Sequence, residues 1–472
     1  MSDGLATTAT ALHDLSATEL LAGYYGKQFS PSEVMEAVIA QATRWEPHIN
    51  ALYGFDPDAA RKAAQASTAR WAKGEPIGLL DGVPVTIKEN VATAGVPVPL
   101  GVPITPLTPA TADAPPAARL REAGGILWSK TTMPDFGMLS SGLSSFHGVT
   151  RNPWDVSQNT GGSSAGAGAA GAAGYGPLHL GTDIGGSVRL PANWCGIFAL
   201  KPSLGRVPID PPYVGRCAGP MTRTVDDAAL MMSVLSQPDG RDGMSLPPHD
   251  FDWSELDVDV RGKTIGLLTD LGFGMALEDE VRDVVTQAAR TFEAQGAIVE
   301  PVELGFTREM MDGLDNFWRA RMWSDLALFS DEQRARVLPY IVRWAEPGAR
   351  LSGVDVVRGF NQTMAVRALG AKLFADIDYL ISPVAPVVSF AADVASPWND
   401  PDRPFDHILY TVPWNMAENP AASINAGYSA KGFPIGVQIV GKRFDDLGVL
   451  RMAKAFEGLR GEQKPWPVPP RA

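Results

Sequence analysis

Hydroxyl groups able to act as nucleophiles crowd into one glycine-rich window of this 472-residue chain. Ser163, Ser164 and Ser187 stand beside the glycine pairs Gly161-Gly162 and Gly185-Gly186. Glycine turns expose a hydroxyl and let backbone N–H groups converge on a substrate oxygen. A serine hydroxyl is a weak nucleophile at neutral pH, so acyl transfer needs a base within reach. Two generic patterns overlap in the window, and neither has the context it requires. Gly166 to Gly171 fits the dinucleotide fingerprint G-x-G-x-x-G, but Gln158 to Ser164 before it is polar and turn-like, and no acid follows at about 20 residues. Gly162 to Gly166 fits G-x-S-x-G, with Ser164 as nucleophile and His249 and His407 downstream. That elbow needs a buried strand before it, which Arg151 to Thr160 does not offer.

A longer pattern is far more specific. Gly161-Gly162-Ser163-Ser164 is followed by Gly181-Thr182-Asp183-Ile184-Gly185-Gly186-Ser187-Val188-Arg189, then Pro191-Ala192, Cys195-Gly196 and Leu200-Lys201-Pro202-Ser203. Gly82 to Asn90, Lys130 to Met133, Thr150 to Trp154, Gly219-Pro220-Met221 and Gly432 to Gln438 stand around it in order. The whole resembles the amidase signature family, from about residue 15 to residue 460. The resemblance implies Ser187 as the nucleophile that forms an acyl-enzyme, Ser163 as a bridging serine held by a cis peptide bond, and Lys88 as general base. Backbone N–H groups of Ile184, Gly185, Gly186 and Ser187 are the expected oxyanion hole. Gly137, Met138, Ser164 and Thr182 are expected at the substrate, with no metal and no cofactor. Ala165 and Glu89 depart from the usual Gly and Asp, and neither replaces a reacting group.

Physical chemistry supports these roles. A lysine accepts a proton only when neutral, so its pKa must fall from about 10.4 towards 7–8 through burial or nearby positive charge. Lys88, at the end of an apolar strand and facing a Ser/Gly-rich loop without nearby carboxylates, is placed for that depression. Asp183 and Arg189 flank the nucleophile, and both are read as structural, Arg189 anchoring the loop. The expected activity is cleavage of a C–N amide bond, or a related carbamate or ester, in a small apolar or aryl substrate. Phe317, Trp318, Trp323 and Trp414 are candidate wall residues, and Pro97 to Pro109 a candidate rim. Two alternatives remain. One is the glutamine-dependent type of amidotransferase, though that branch carries a Gly-Glu-Glu-Val-Lys-Arg-Arg-type segment where this chain has Arg336 to Trp344. The other is a non-catalytic binding protein on the same fold.

The elements that must position these groups are legible in outline. Ser16 with Glu19, and Ser30 with Pro31 and Glu33, mark helix starts, and the second helix is expected to stop just before Pro47. Residues 1–75 read as a helical layer, and 76–465 as the catalytic domain. Strands are expected at 83–87, 125–128, 264–268, 298–302, 379–381 and 436–440, with helices at 117–123, 165–173, 278–294, around Phe317 to Trp323, and at 447–459. This alternation predicts an α/β fold, and the resemblance a mixed central sheet with helices on both faces. The Pro/Asp/Gly-rich segment 237–253 is a linker or surface loop and a candidate boundary between two lobes.

Composition bounds the partners. Hydrophobic residues at 45% and charged at 20% describe a globular chain able to bury a core. A net charge of −13 without a basic cluster argues against nucleic acid. The uncharged run Val156 to Thr182 is too polar and broken to span lipid. Cys195 and Cys217 form no disulfide framework, and the N-terminus reads as no secretory signal. The expectation is a cytoplasmic monomer or homodimer acting on a small molecule.

Overall fold

A computed structural model describes residues 11–470. Its centre is an 11-stranded mixed sheet. From one edge the order runs Leu52–Tyr53, Ile126–Thr131, Pro84–Lys88, Leu178–Asp183, Cys217–Thr222, Phe198–Lys201, Ala421–Tyr428, Pro434–Gly441, Tyr379–Pro383, Thr264–Leu267 and Ile298–Pro301. Parallel pairing is confined to two places. Pro84–Lys88 runs parallel to both its neighbours, and Thr264–Leu267 to both of its own. The remaining pairs are antiparallel.

Side-chain alternation along the central strands divides the interior into two cores. Tyr379 and Ile381, Val437 and Ile439, and Ala422 face one cluster, which takes in Val38, Trp45, Phe292 and Phe456 from helices. Leu380, Val440 and Ala421 face the other, with Trp318, Trp344 and Trp414. Period-two alternation thus clothes the sheet with helices on both faces. The segment 237–253 does not divide lobes, because one sheet joins strands from both sides of it. That segment packs instead, with Asp242 accepting the Ile209 N–H at 3.0 Å and Leu246 N donating to Gly205 O at 2.9 Å.

Both N-terminal helix starts carry reciprocal capping boxes, Ser16 with Glu19 and Ser30 with Glu33. The second helix runs on through Pro47 to Ile49 and ends where Asn50 turns left-handed, φ 50°. A proline in the last turn sacrifices one backbone bond, and the buried Trp45 and Ile49 still draw that turn into the core. The N-terminal layer is not purely helical, since Leu52–Tyr53 forms the sheet's edge strand. Tyr24 Oη donates to Gly82 O at 3.0 Å and Arg70 Nε to Asp81 at 2.8 Å, tying this layer to the approach of the strand Pro84–Lys88.

The helix Ala165–Ala173 owes its alanines and glycines to crowding. A Cβ on Gly166 would stand 2.3 Å from Ala51 O, and one on Gly168 2.9 Å from Pro191 Cβ. These glycines serve close packing rather than a nucleotide phosphate. The short strand Asp155–Asn159 before them pairs with Arg151–Asn152 in a half-exposed hairpin outside the main sheet, with one bridge from Gln158 to Ala391, so no strand of the kind a nucleophile elbow needs leads into Ser164.

Candidate active site

Three segments meet at the carboxyl ends of adjacent strands. Lys88 is the last residue of Pro84–Lys88, and its whole side chain is buried. Its Nζ lies 2.8 Å from Ser163 Oγ and 3.1 Å from Thr182 Oγ1, with Thr182 O at 3.5 Å. Ser163 follows a cis peptide bond from Gly162. Asn159 ties this loop down, its Oδ1 accepting from Gly142 N at 3.0 Å and Gly161 N at 2.9 Å. Ser187 sits on the turn after Leu178–Asp183, half-buried, and its carbonyl accepts from Ser164 N at 3.1 Å.

Burial drives the Lys88 pKa well below the usual lysine value, and the Arg216 guanidinium adds to the depression. Contrary to the sequence-based expectation, carboxylates are near: Asp183 and Glu89 pull the other way. Both are engaged elsewhere. Asp183 pairs with Arg189, and Glu89 with His147 and the Gly101 N–H. Burial alone would raise the Asp183 pKa, but Arg189 and its hydrogen bonds hold it far below the usual carboxylate range.

The Asp183–Arg189 pair braces the turn from beneath. Arg189 Nη2 and Nε reach the two carboxylate oxygens at 2.9 and 3.0 Å. Arg189 also donates to Thr411 O at 2.9 Å, Gln438 Oε1 at 2.7 Å and Asn415 Oδ1 at 2.6 Å. Asp183 in turn accepts the N–H of Gly186 at 2.8 Å and of Val188 at 3.1 Å. This changes one expectation: the Gly186 N–H is taken by a carboxylate and does not face a substrate. Among the described residues the N–H groups of Ile184, Gly185 and Ser187 have no protein acceptor. Gly186 adopts φ +124°, and a Cβ there would lie 2.5 Å from Thr411 Oγ1, so only glycine fits.

The cleft over Ser187 is lined by Gly137, Met138, Leu139, Ile184, Gly185, Trp318, Arg321, Phe405 and Ile408, among others. Gly137 and Met138, expected at the substrate, are both in this lining. Ser164 and Thr182 are not in the lining. Ser164 Oγ bonds Thr182 O at 3.1 Å, and Thr182 holds the lysine. Of the four aromatic candidates only Trp318 lines the cleft. Phe317 stacks on Tyr213, Trp323 lies under Arg334, and Trp414 is packed in the core against Phe374. Residues 97–109 form no part of the lining. They support it from behind, Leu100 O accepting from Phe136 N at 2.7 Å. Phe405, Ile408 and Arg321 were missed, having no local motif to mark them.

Fold and site together define a class. The amidase family matches residues 33–450, and the chain belongs to that family, the amidase signature enzymes. It is 34% identical over 97% of both chains to an acylamidase of Rhodococcus erythropolis. It is 33% identical to the A subunit of the glutamyl-tRNA(Gln) amidotransferase of Chloroflexus aurantiacus, over 95% of this chain and 97% of that one. A bacterial aryl acylamidase crystal structure superimposes with a TM-score of 0.87 at 31% identity, covering 95% of this chain and 97% of that one. No helix among the described residues is long and apolar enough to cross a membrane.

Proposed function

We propose that this protein hydrolyses the C–N bond of small apolar or aryl amides through an acyl-enzyme on Ser187. The observation that carries the reading is the buried Lys88 Nζ, 2.8 Å from Ser163 Oγ, behind a serine that opens on an apolar cleft. A neutral amine keeps two N–H bonds. Thr182 Oγ1 and Thr182 O, at 3.1 and 3.5 Å, can take both and leave the lone pair facing Ser163. Ser187 Oγ then attacks the carbonyl carbon, its proton passes to Ser163, and the Ser163 proton passes to Lys88. The oxyanion is met by N–H groups of Ile184, Gly185 and Ser187. As the C–N bond breaks, the proton returns along the same path to the departing nitrogen. Water repeats the sequence to release the acid and free Ser187.

Met138, Leu139, Trp318, Phe405 and Ile408 give the cleft its apolar wall, which favours acyl groups of that character. The space within the cleft, which is open on one side, is about 40 Å³. A closed cavity that holds benzene measures roughly 150 Å³, so an aryl group extends out of the cleft mouth or displaces wall side chains such as the unbranched Met138. Likeness to acylamidases supports the same substrate class, with carbamates and esters as related substrates.

The test is a hydrolysis panel of aliphatic amides, anilides, p-nitrophenyl esters and aryl carbamates, with Ser187→Ala as blank. Hydrolysis of no member above that blank refutes the reading. A fluorophosphonate probe separates an enzyme from a binding protein, which would not label at Ser187. The similarity to amidotransferases keeps a second reading in view. Ammonia release from glutamine exceeding that from every simple amide would favour it.

A further inference from the structure

Arg321 lines the cleft, Arg216 stands outside that lining but near it, and neither meets a carboxylate. Arg321, on the helix Arg308–Leu326, lines the same cleft as Ser187, Gly137 and Met138. Its guanidinium carbon lies 4.0 Å from the centre of the Tyr213 ring, which stacks at 12° on Phe317. An aromatic face rather than an anion therefore holds it in place. Arg216 leads into the strand Cys217–Thr222, whose register sets Cys217 opposite Asp183. That brings Arg216 beside the turn bearing Ser187, and its charge reaches both Lys88 and Arg321. Its Nη1 donates only to Pro211 O, at 2.9 Å.

The surrounding acids do not neutralise the pair. Asp210 attracts Arg216 from a distance, Asp325 lies one turn along the helix from Arg321, and Asp183 is committed to Arg189. Among the described residues no carboxylate oxygen comes within 4.0 Å of either guanidinium. This is notable in a chain with 53 acidic residues against 40 basic ones, where counter-ions are plentiful. Holding Lys88 neutral accounts for Arg216, whose charge disfavours the Lys88 ammonium, and leaves Arg321 on the cleft wall without an assigned partner. Neither guanidinium is met by an anion of the protein itself.

We propose that Arg321 and Arg216 form a subsite for a carboxylate carried on the acyl part of the substrate. The proposal rests on the acyl-transfer reading for its reaction and adds the charge of the substrate. Guanidinium groups suit a carboxylate because their paired N–H groups match its two oxygens. The cleft lining contains no Asp or Glu to receive an ammonium. The favoured substrates are thus half-amides of dicarboxylic acids with an apolar or aryl body, rather than zwitterions such as glutamine.

Three 4-nitroanilides of matched length test this: pentanoyl, which is neutral, glutaryl, an anion, and γ-glutamyl, a zwitterion. Glutaryl is expected to exceed the other two in kcat/KM by about tenfold or more, with the advantage shrinking as salt is added. Arg321→Gln should cut the glutaryl-to-pentanoyl ratio about tenfold, with Arg321→Lys retaining part of it. A wild-type ratio at or below one, or a ratio unmoved in Arg321→Gln, overturns the subsite while hydrolysis of the neutral anilide still stands. Titration of glutaryl 4-nitroanilide into Ser187→Ala, with and without Arg321→Gln, reads binding separately from turnover. Loss of affinity on removing Arg321 supports the subsite even if no anilide is hydrolysed, whereas equal affinity overturns it.

Discussion

Asp183→Asn removes one charge from the buried pair beneath the nucleophile turn, and its cost can be worked from the contacts. Asp183 Oδ1 accepts from Gly186 N, Arg189 Nη2 and Asn415 Nδ2, and Oδ2 from Val188 N and Arg189 Nε. Every neighbour is a donor, so the amide nitrogen of Asn faces donors in either orientation. Arg189, fully buried, is left without its carboxylate. Removing one partner of such a pair costs about 3–5 kcal/mol, a large share of the roughly 5–15 kcal/mol that holds a protein folded. Urea unfolding followed by tryptophan fluorescence should show that loss. Fluorophosphonate labelling of Ser187 should slow at least about tenfold, as either the Gly186 or the Val188 N–H loses its acceptor and the turn is no longer locked.

The pH dependence of this difference has a definite sign. The folded-state pKa of Asp183 lies below that of the unfolded chain. The stabilisation is therefore complete above the unfolded value of about 3.9 and is lost as the pH falls towards the folded value. The gap between wild type and Asp183→Asn should be level from about pH 5 upward and narrow in acid. A destabilisation under about 1 kcal/mol with labelling unchanged would show that Thr411, Gln438 and Asn415 suffice to hold Arg189, and would refute the bracing argument.

Other outcomes follow from the same geometry. Ser187→Ala should abolish acyl-enzyme formation, read by mass spectrometry after mixing with a p-nitrophenyl ester; a covalent adduct in that variant would move the nucleophile elsewhere. Lys88→Ala should lower kcat by about 10²–10⁴ and remove the rising alkaline limb of the rate profile, whereas an unchanged profile would count against Lys88 as the base. Arg216→Gln removes a cation that disfavours the Lys88 ammonium, so the Lys88 pKa should rise and the limb move to higher pH; a limb that stays put contradicts this electrostatic account. Thr182→Val takes away one acceptor from Lys88 Nζ and should reduce kcat up to about tenfold with KM little changed, checked by steady-state kinetics on an anilide.

Much of the architecture is legible before folding, because capping boxes, apolar periodicity and glycine spacing are local signals. The helices Ala165–Ala173 and Asp279–Ala294 and the strand Pro84–Lys88 fall within a residue or so of their expected places. The strands Leu178–Asp183, Phe198–Lys201, Cys217–Thr222 and Ala421–Tyr428 escaped notice although they occupy the middle of the sheet. They are short or interrupted by Gly, Pro, His and Lys, and burial among neighbours overrides their weak propensity. Pro47 misled in the opposite way, since packing of Trp45 and Ile49 outweighs one lost backbone bond.

The candidate site divides along the same line. Ser163, Ser187, Lys88 and the glycines were named from sequence because their types and order form blocks within continuous stretches of chain. Contacts between distant segments were not. Sequence placed the Gly186 N–H toward substrate, and only the fold turned it onto Asp183. Sequence put Thr182 against the substrate, and only the fold set it against Lys88. The cleft wall draws Met138, Trp318 and Phe405 from segments far apart in the chain. Arg216 and Arg321, likewise distant in the chain, are brought near the cleft without a counter-ion only by the sheet register and the packing of one helix. Residue type determines what chemistry is possible and is written locally; burial, pKa and the charge facing a substrate are sums over neighbours, and tertiary structure alone decides which neighbours those are.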